Sequence, residues 1–92
     1  KAMQGVLRNV NRELPEPVLV SFTSFVFNVG EGKFRTSTLR SLVNSGDVVG
    51  ACHQLPRWKY AGGRDCSVRS NNCWGVWERR LREENLCLSA YK

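Results

Sequence analysis

A chain of 92 residues suffices for one small domain, and 41% hydrophobic with 24% charged residues excludes an intrinsically disordered one. No apolar run approaches the ~18 residues that a membrane-spanning helix needs. Fourteen Lys and Arg against eight Asp and Glu leave +6, which points to a polyanionic partner: nucleic acid, an acidic membrane face or an acidic cell-wall polymer.

Residues 1–10 set Ala2, Met3, Val6, Leu7 and Val10 at helical steps, weakened by Gly5, and read as the tail of a helix that began earlier. Pro15 and Pro17 force extended backbone on the residues before them, and Pro17 suits the first turn of the next helix. Residues 18–29 are strongly apolar, with Val18, Phe22, Phe25, Val26 and Val29 on one helical face. Their β-branched and aromatic content makes a strand the competitor, but the length and the Asn28-Val29-Gly30 ending favour a buried helix with a glycine stop. After a turn at Glu31–Lys33, Ser37 or Thr36 caps a helix carrying Leu39, Leu42 and Val43. Asp47 caps another carrying Val48, Ala51, Cys52 and Leu55. Residues 61–73 are polar and loop-like. Residues 74–88 read as an amphipathic helix with Trp74, Trp77, Leu81 and Leu88 inward and a solvated face of Glu78, Glu83 and Glu84 interleaved with Arg79, Arg80 and Arg82. The class is all-α, four or five short helices with no convincing strand.

The four cysteines lie at 52, 66, 73 and 87. With one His and no Cys-x2-Cys pair they make a poor zinc site, and no metal or cofactor is implied. Two disulfides in an exported domain are the better reading, with reduced thiols in a cytosolic protein as the alternative. Of the three pairings, Cys52 with Cys87 would tie a helix to the C-terminal segment, and Cys66 with Cys73 would staple a polar loop.

Candidate chemistry is sparse. Cleaving a glycosidic bond takes two carboxyl groups flanking it. Asp47 is accounted for by capping, and Glu31 follows a helix end with no evident partner. Adjacent Cys52 and His53 face apart on a helix and cannot form a nucleophile–base pair. The lone His53 reads as a partly exposed helix residue, and Gly62-Gly63 lacks the Lys-Ser/Thr of a phosphate loop. Trp58-Lys59-Tyr60, and Trp74 and Trp77 with Arg79, are residues that could stack on sugars or bases, although tryptophans in a small helical domain more often form core.

SFVFNVGEGKFRTSTLRSL, then GDVVGACHQLPRWKYAGG, then GVWERRLREENLCL follow one another in an order that resembles the C-terminal lobe of phage-type lysozymes, the endolysins that hydrolyse bacterial peptidoglycan. The resemblance spans roughly residues 6–88 and rests on four boxes in sequence: Phe27-Asn28-Val29-Gly30, Thr36-Ser37-Thr38-Leu39, Arg57-Trp58 with Ala61-Gly62-Gly63, and Gly75 through Arg79-Arg80 and Glu84 to Cys87. It departs from the family at Pro56 and in the Asp65–Cys73 loop with its extra cysteine pair.

The resemblance implies that residues 1–92 are one lobe, with residues 1–10 ending an inter-lobe helix and residues 18–88 forming a helical core. It places Phe27, Asn28, Gly30 and Glu31 at a cleft floor and Thr38 near the sugar sites. The family's catalytic residues belong to an N-terminal lobe that nothing in this chain matches, so no catalytic residue is expected here and the chain alone is expected to be inactive. The implied partners are peptidoglycan glycan strands and that missing lobe, and the implied location is the periplasm of the bacterial host. Competing readings are a non-catalytic module binding peptidoglycan or protein, and a cationic membrane-active fragment acting through residues 74–88. Nucleic-acid binding is disfavoured because the basic residues are dispersed.

Overall fold

The strand alternative for residues 18–29 fails: in the computed structural model, which describes residues 1–92, they belong to a 14-residue helix, α2 (Glu16–Val29). Pro17 occupies its first turn, where a missing N–H costs nothing. Gly30 stops it at φ 95°, a conformation that favours glycine, and its N–H donates to Val26 O at 2.8 Å. Before α2 lies α1 (Ala2–Asn9), and after it come α3 (Glu31–Arg35), α4 (Thr38–Asn44), α5 (Val48–Cys52) and, closing the chain, α6 (Trp74–Ser89). Ser37, not Thr36, caps α4 by accepting from Arg40 N, and Asp47 caps α5 by accepting from Gly50 N. Pro56 lies in a 3₁₀ turn, Leu55–Arg57, so the chain bends directly before Trp58.

The polar segment read as loop is more ordered than that. Tyr60–Ala61 (β1) and Arg64–Asp65 (β2) pair antiparallel, Tyr60 opposite Asp65 and Ala61 opposite Arg64. Gly62 and Gly63 both take positive φ, 56° and 81°, as a tight two-residue hairpin turn requires. The composition reads as a loop, and strands of two residues each, Tyr-Ala and Arg-Asp, are too short to show an alternation.

One core holds the helices together. Phe22 and Phe25 of α2 meet Phe34 of α3 at ring-centroid distances of 6.3 and 6.5 Å, and Val6, Val18, Leu39, Val43 and Leu55 are buried around them. α6 packs along α2, but its inward stripe is not the expected one. Arg80, Glu83 and Cys87 are buried, whereas Trp74, Trp77 and Leu81 are half-buried, so Arg80 and Glu83 leave the solvated face assigned to them. The Cys52–Cys87 disulfide fixes this rotation by drawing Cys87 into the core against α5. The second disulfide joins Cys66 to Cys73, leaving no free cysteine. His53, exposed at the end of α5, bridges the same two helices through Nδ1, 3.0 Å from Glu84 Oε2.

No helix is long and apolar enough to cross a membrane. Replacing Cys52 and Cys87 together by Ala should cost about 2–4 kcal/mol, because the bond closes a long loop. In a domain of this size that corresponds to a fall in Tm of roughly 10–25 °C, measurable by circular dichroism.

Candidate ligand groove

Three parts of the chain converge on a groove of about 310 Å³. The end of α2 and the body of α3 contribute Asn28, Val29 and Lys33. Trp58 and the hairpin residues Tyr60, Ala61 and Gly62 form the opposite wall, and α6 supplies Val76, Arg79 and Arg80. Each placement has a local cause. The Gly30 stop redirects the chain so that α3 lies beside the end of α2. The 3₁₀ turn delivers Trp58, whose ring stands edge-to-face with Phe25 at 5.2 Å. Lys59 sits 3.2 Å from Asp65 across the hairpin and 5.9 Å from the Trp77 ring centroid, which links the hairpin to α6. The Ser67 hydroxyl and N–H, with Lys59, hold the Asp65 carboxyl below its usual range.

No Asp or Glu lines the groove, and neither Lys33 nor Arg79 has an ion-pair partner. Arg80 differs. Only 2% exposed, it donates from Nη2 to Glu83 Oε2 at 2.8 Å, and its Nε lies 2.7 Å from Oε1 at an angle that makes a charge contact rather than a hydrogen bond. The Ser24 hydroxyl donates to the same Oε2 at 2.5 Å, and the guanidinium lies 5.3 Å from the Phe25 ring centroid. Glu83, itself 5% exposed, is therefore committed to neutralising Arg80. Ser24 and Glu83 also line a shallower depression of about 360 Å³ between α2 and α6.

Glu31, without a partner in its own segment, finds two across the fold. Arg8 donates to it twice, Nη2 to Oε1 at 2.6 Å and Nε to Oε2 at 3.1 Å, and Asn9 Nδ2 donates to Oε2 at 2.9 Å. Gly5 leaves room for this approach, since a Cβ there would press on the Glu31 side chain at 3.3 Å. The hydrogen bonds from Arg8 and then Asn9 pull the Glu31 carboxyl down to about 2. Such a group is ionised at neutral pH and has no proton to give a leaving group.

Of the five residues placed near a cleft by resemblance, Asn28 lines the groove; its Nδ2 donates to Ser24 O at 2.7 Å. Gly30 shapes the turn beneath it. Phe27 is 81% exposed, Thr38 is exposed in the first turn of α4, and Glu31 faces α1. Trp58, Tyr60 and Arg79, singled out for stacking, come together here, whereas Trp74 is covered by Arg69 at 4.2 Å. Lys33 was legible only as part of a turn. No three His, Cys, Asp or Glu side chains converge as metal ligands would.

The pattern of the phage lysozyme family matches residues 1–83. This chain belongs to the phage lysozyme family. Among its relatives, the SAR-endolysin of Bacteriophage PS119 is 46% identical over 92 residues, covering 96% of this chain and 51% of that protein. The SAR-endolysin of Escherichia phage 933W is 42% identical over 87 residues, covering 94% and 49%. A probable prophage lysozyme of Escherichia coli (strain K12) is 44% identical over the same length, again covering 94% and 49%. The chain thus spans about half the length of the curated relatives it matches, and the groove belongs to that half of a phage lysozyme.

Two measurements follow from the charges. Glu83→Leu leaves Arg80 buried without its counterion and should cost about 3–5 kcal/mol, whereas Arg80→Met with Glu83→Leu should recover most of the loss; urea denaturation of both variants gives the comparison. The Glu31 carboxyl is depressed in the folded state, so the stability it contributes is present above about 4.5, its unperturbed value, and is lost as pH falls from there toward 2. NMR titration of its side-chain carbon should find a midpoint near 2 that moves up in Arg8→Gln, with a shallower loss of stability across that window.

Proposed function

We propose that this chain is the C-terminal lobe of an endolysin that hydrolyses the β-1,4 bond between N-acetylmuramic acid and N-acetylglucosamine, and that its part is to hold the glycan strand. The observation that carries this reading is a groove, in a phage lysozyme chain, lined by aromatic rings and unpaired cations with no carboxyl group. The Trp58 and Tyr60 rings suit stacking on sugar faces. Asn28 suits a hydrogen bond to an acetamido or hydroxyl group. Lys33 and Arg79 suit the carboxylates that peptidoglycan carries and neutral chitin lacks. Gly30 turns the chain at the end of α2 so that Lys33 reaches the groove, while Phe27, Glu31 and Thr38 lie outside its lining.

The reacting carboxyls come from the missing lobe. Two acids must flank the scissile bond. Here Glu31 is held ionised by Arg8, and Glu83 is spent on Arg80. The chain alone is therefore inactive. The absent lobe also gives a cover for Met3 and Leu7 of α1 and Phe27 of α2, which are 47%, 52% and 81% exposed. Two disulfides fit the periplasm of a bacterial host, where the complete protein would lyse the cell wall.

Sedimentation with purified peptidoglycan sacculi tests the assignment. The chain should pellet with sacculi, favour them over chitin and release no reducing ends. Lys33→Gln with Arg79→Gln should weaken binding by about tenfold, which is ~1.4 kcal/mol, while Arg12→Gln with Lys92→Gln, equal in charge but outside the groove, should not. Absence of binding overturns the reading. Hydrolysis at lysozyme-like rates overturns the inactivity, and retention without any larger gene product leaves a binding module in place of an enzyme lobe.

A further inference from the structure

The two disulfides occupy different surroundings. Cys52 and Cys87 are members of the hydrophobic core, whereas Cys66, although buried, is not. Cys52–Cys87 spans 35 residues, and Cys66–Cys73 spans seven, so the second constrains less of the unfolded chain, although loop entropy grows only with the logarithm of length. What it joins is more telling. Cys66 directly follows β2, the strand paired with Tyr60–Ala61, and Cys73 is the residue on which α6 begins. The bond therefore connects two of the three walls of the groove: the hairpin with Tyr60, Ala61 and Gly62, and the first turns of α6 with Val76 and Arg79.

The hairpin has little else to fix it. Each strand is two residues long, and an isolated two-stranded hairpin is marginal in water even when longer. Its other ties are polar or cationic: Cys66 N–H to Lys59 O at 2.7 Å, Lys59 to Asp65 at 3.2 Å and 5.9 Å from the Trp77 ring centroid, Asn71 Nδ2 to Asp65 O at 2.8 Å, and Arg69 over Trp74 at 4.2 Å. Tyr60 is 59% exposed and contributes no core packing.

We propose that the Cys66–Cys73 disulfide is a positioning cross-link that sets the width of the glycan groove by pinning the Tyr60–Gly62 wall to the start of α6. Its role is ligand affinity, while global stability rests more on Cys52–Cys87. The ligand in this proposal is peptidoglycan, so it rests on the function proposed above. It also separates the two bonds in their consequences: breaking one loosens the groove, and breaking the other loosens the fold.

The experiment compares Cys66→Ser/Cys73→Ser with the parent chain in three readouts: thermal melting, sedimentation with sacculi, and amide hydrogen exchange. The double variant should melt roughly 10–15 °C below the parent, a smaller fall than that of Cys52→Ala/Cys87→Ala, bind sacculi about tenfold more weakly or worse, and show faster exchange confined to Tyr60–Cys73. Unchanged affinity overturns the proposal, as does a loss of the whole fold or a fall in Tm as large as that of Cys52→Ala/Cys87→Ala. If the parent itself does not bind sacculi, the peptidoglycan reading falls, and the exchange comparison still decides whether the cross-link fixes the wall.

Discussion

Core and groove meet at the ring of Phe25. It stands edge-to-face with Phe34 on the core side and with Trp58 on the groove side, and it carries the Arg80 guanidinium 5.3 Å from its centroid. Its position is set from both ends of α2, by Pro17 at the start and Gly30 at the stop. Arg80 depends on it in turn. A guanidinium taken out of water costs several kcal/mol unless its charge and donors are met. Glu83, with Ser24 behind it, meets the charge, and the aromatic face supplies a cation–π contact. A shift of α6 relative to α2 would break all of these together, so the same contacts that bury a charge also hold Arg79 and Val76 at the groove.

Much of this could be read from the residues, and what could not has a common cause. Asp47, Ser37, Pro17 and Gly30 act within a few residues of themselves, so their roles as caps, first-turn proline and stop followed from local chemistry. The rotation of α6 did not. Its hydrophobic stripe named Trp74, Trp77 and Leu81, yet the buried positions include Arg80 and Glu83, because two opposite charges three residues apart can enter the interior as a neutral unit. No periodicity of hydrophobic residues records that option. The partner of Glu31 was hidden for a related reason: Arg8 lies 23 residues away, and only the fold brings it close. Gly5, which looked like a flaw in a helix, gives the Glu31 carboxylate room against α1. In the groove, the aromatic cluster and Arg79 could be singled out by residue type, but Lys33 belongs to it only through the bend at Gly30.

The cations behind the net charge of +6 do not all have the same duty. Several cations are structural. Arg8 clamps Glu31, Lys59 clamps Asp65, Arg80 is sealed with Glu83, and Arg40 Nε donates to Asn9 O at 2.7 Å at the end of α1. That last contact satisfies a carbonyl at a helix C-terminus, where positive charge is favoured. Lys33 and Arg79 have no such duty. Their charge faces the groove with no acid in its lining, so this surface offers uncompensated positive charge to a ligand.

Binding surfaces that orient a reacting strand must be stiff, because small displacements of a substrate lose rate steeply. Here two of the three walls come from helices, α2 with α3 and α6, whose positions the core already fixes. The third is a six-residue hairpin, Tyr60–Asp65, none of whose residues belongs to the core. A short element of that kind gains rigidity from packing, from a ligand or from a covalent tie. Its aromatic residue is turned outward, which removes the first. A wall that must be in place before the ligand arrives cannot rely on the second. The covalent tie is the one that remains, and Cys66 and Cys73 stand where it has to be, one at the base of the hairpin and the other at the start of α6.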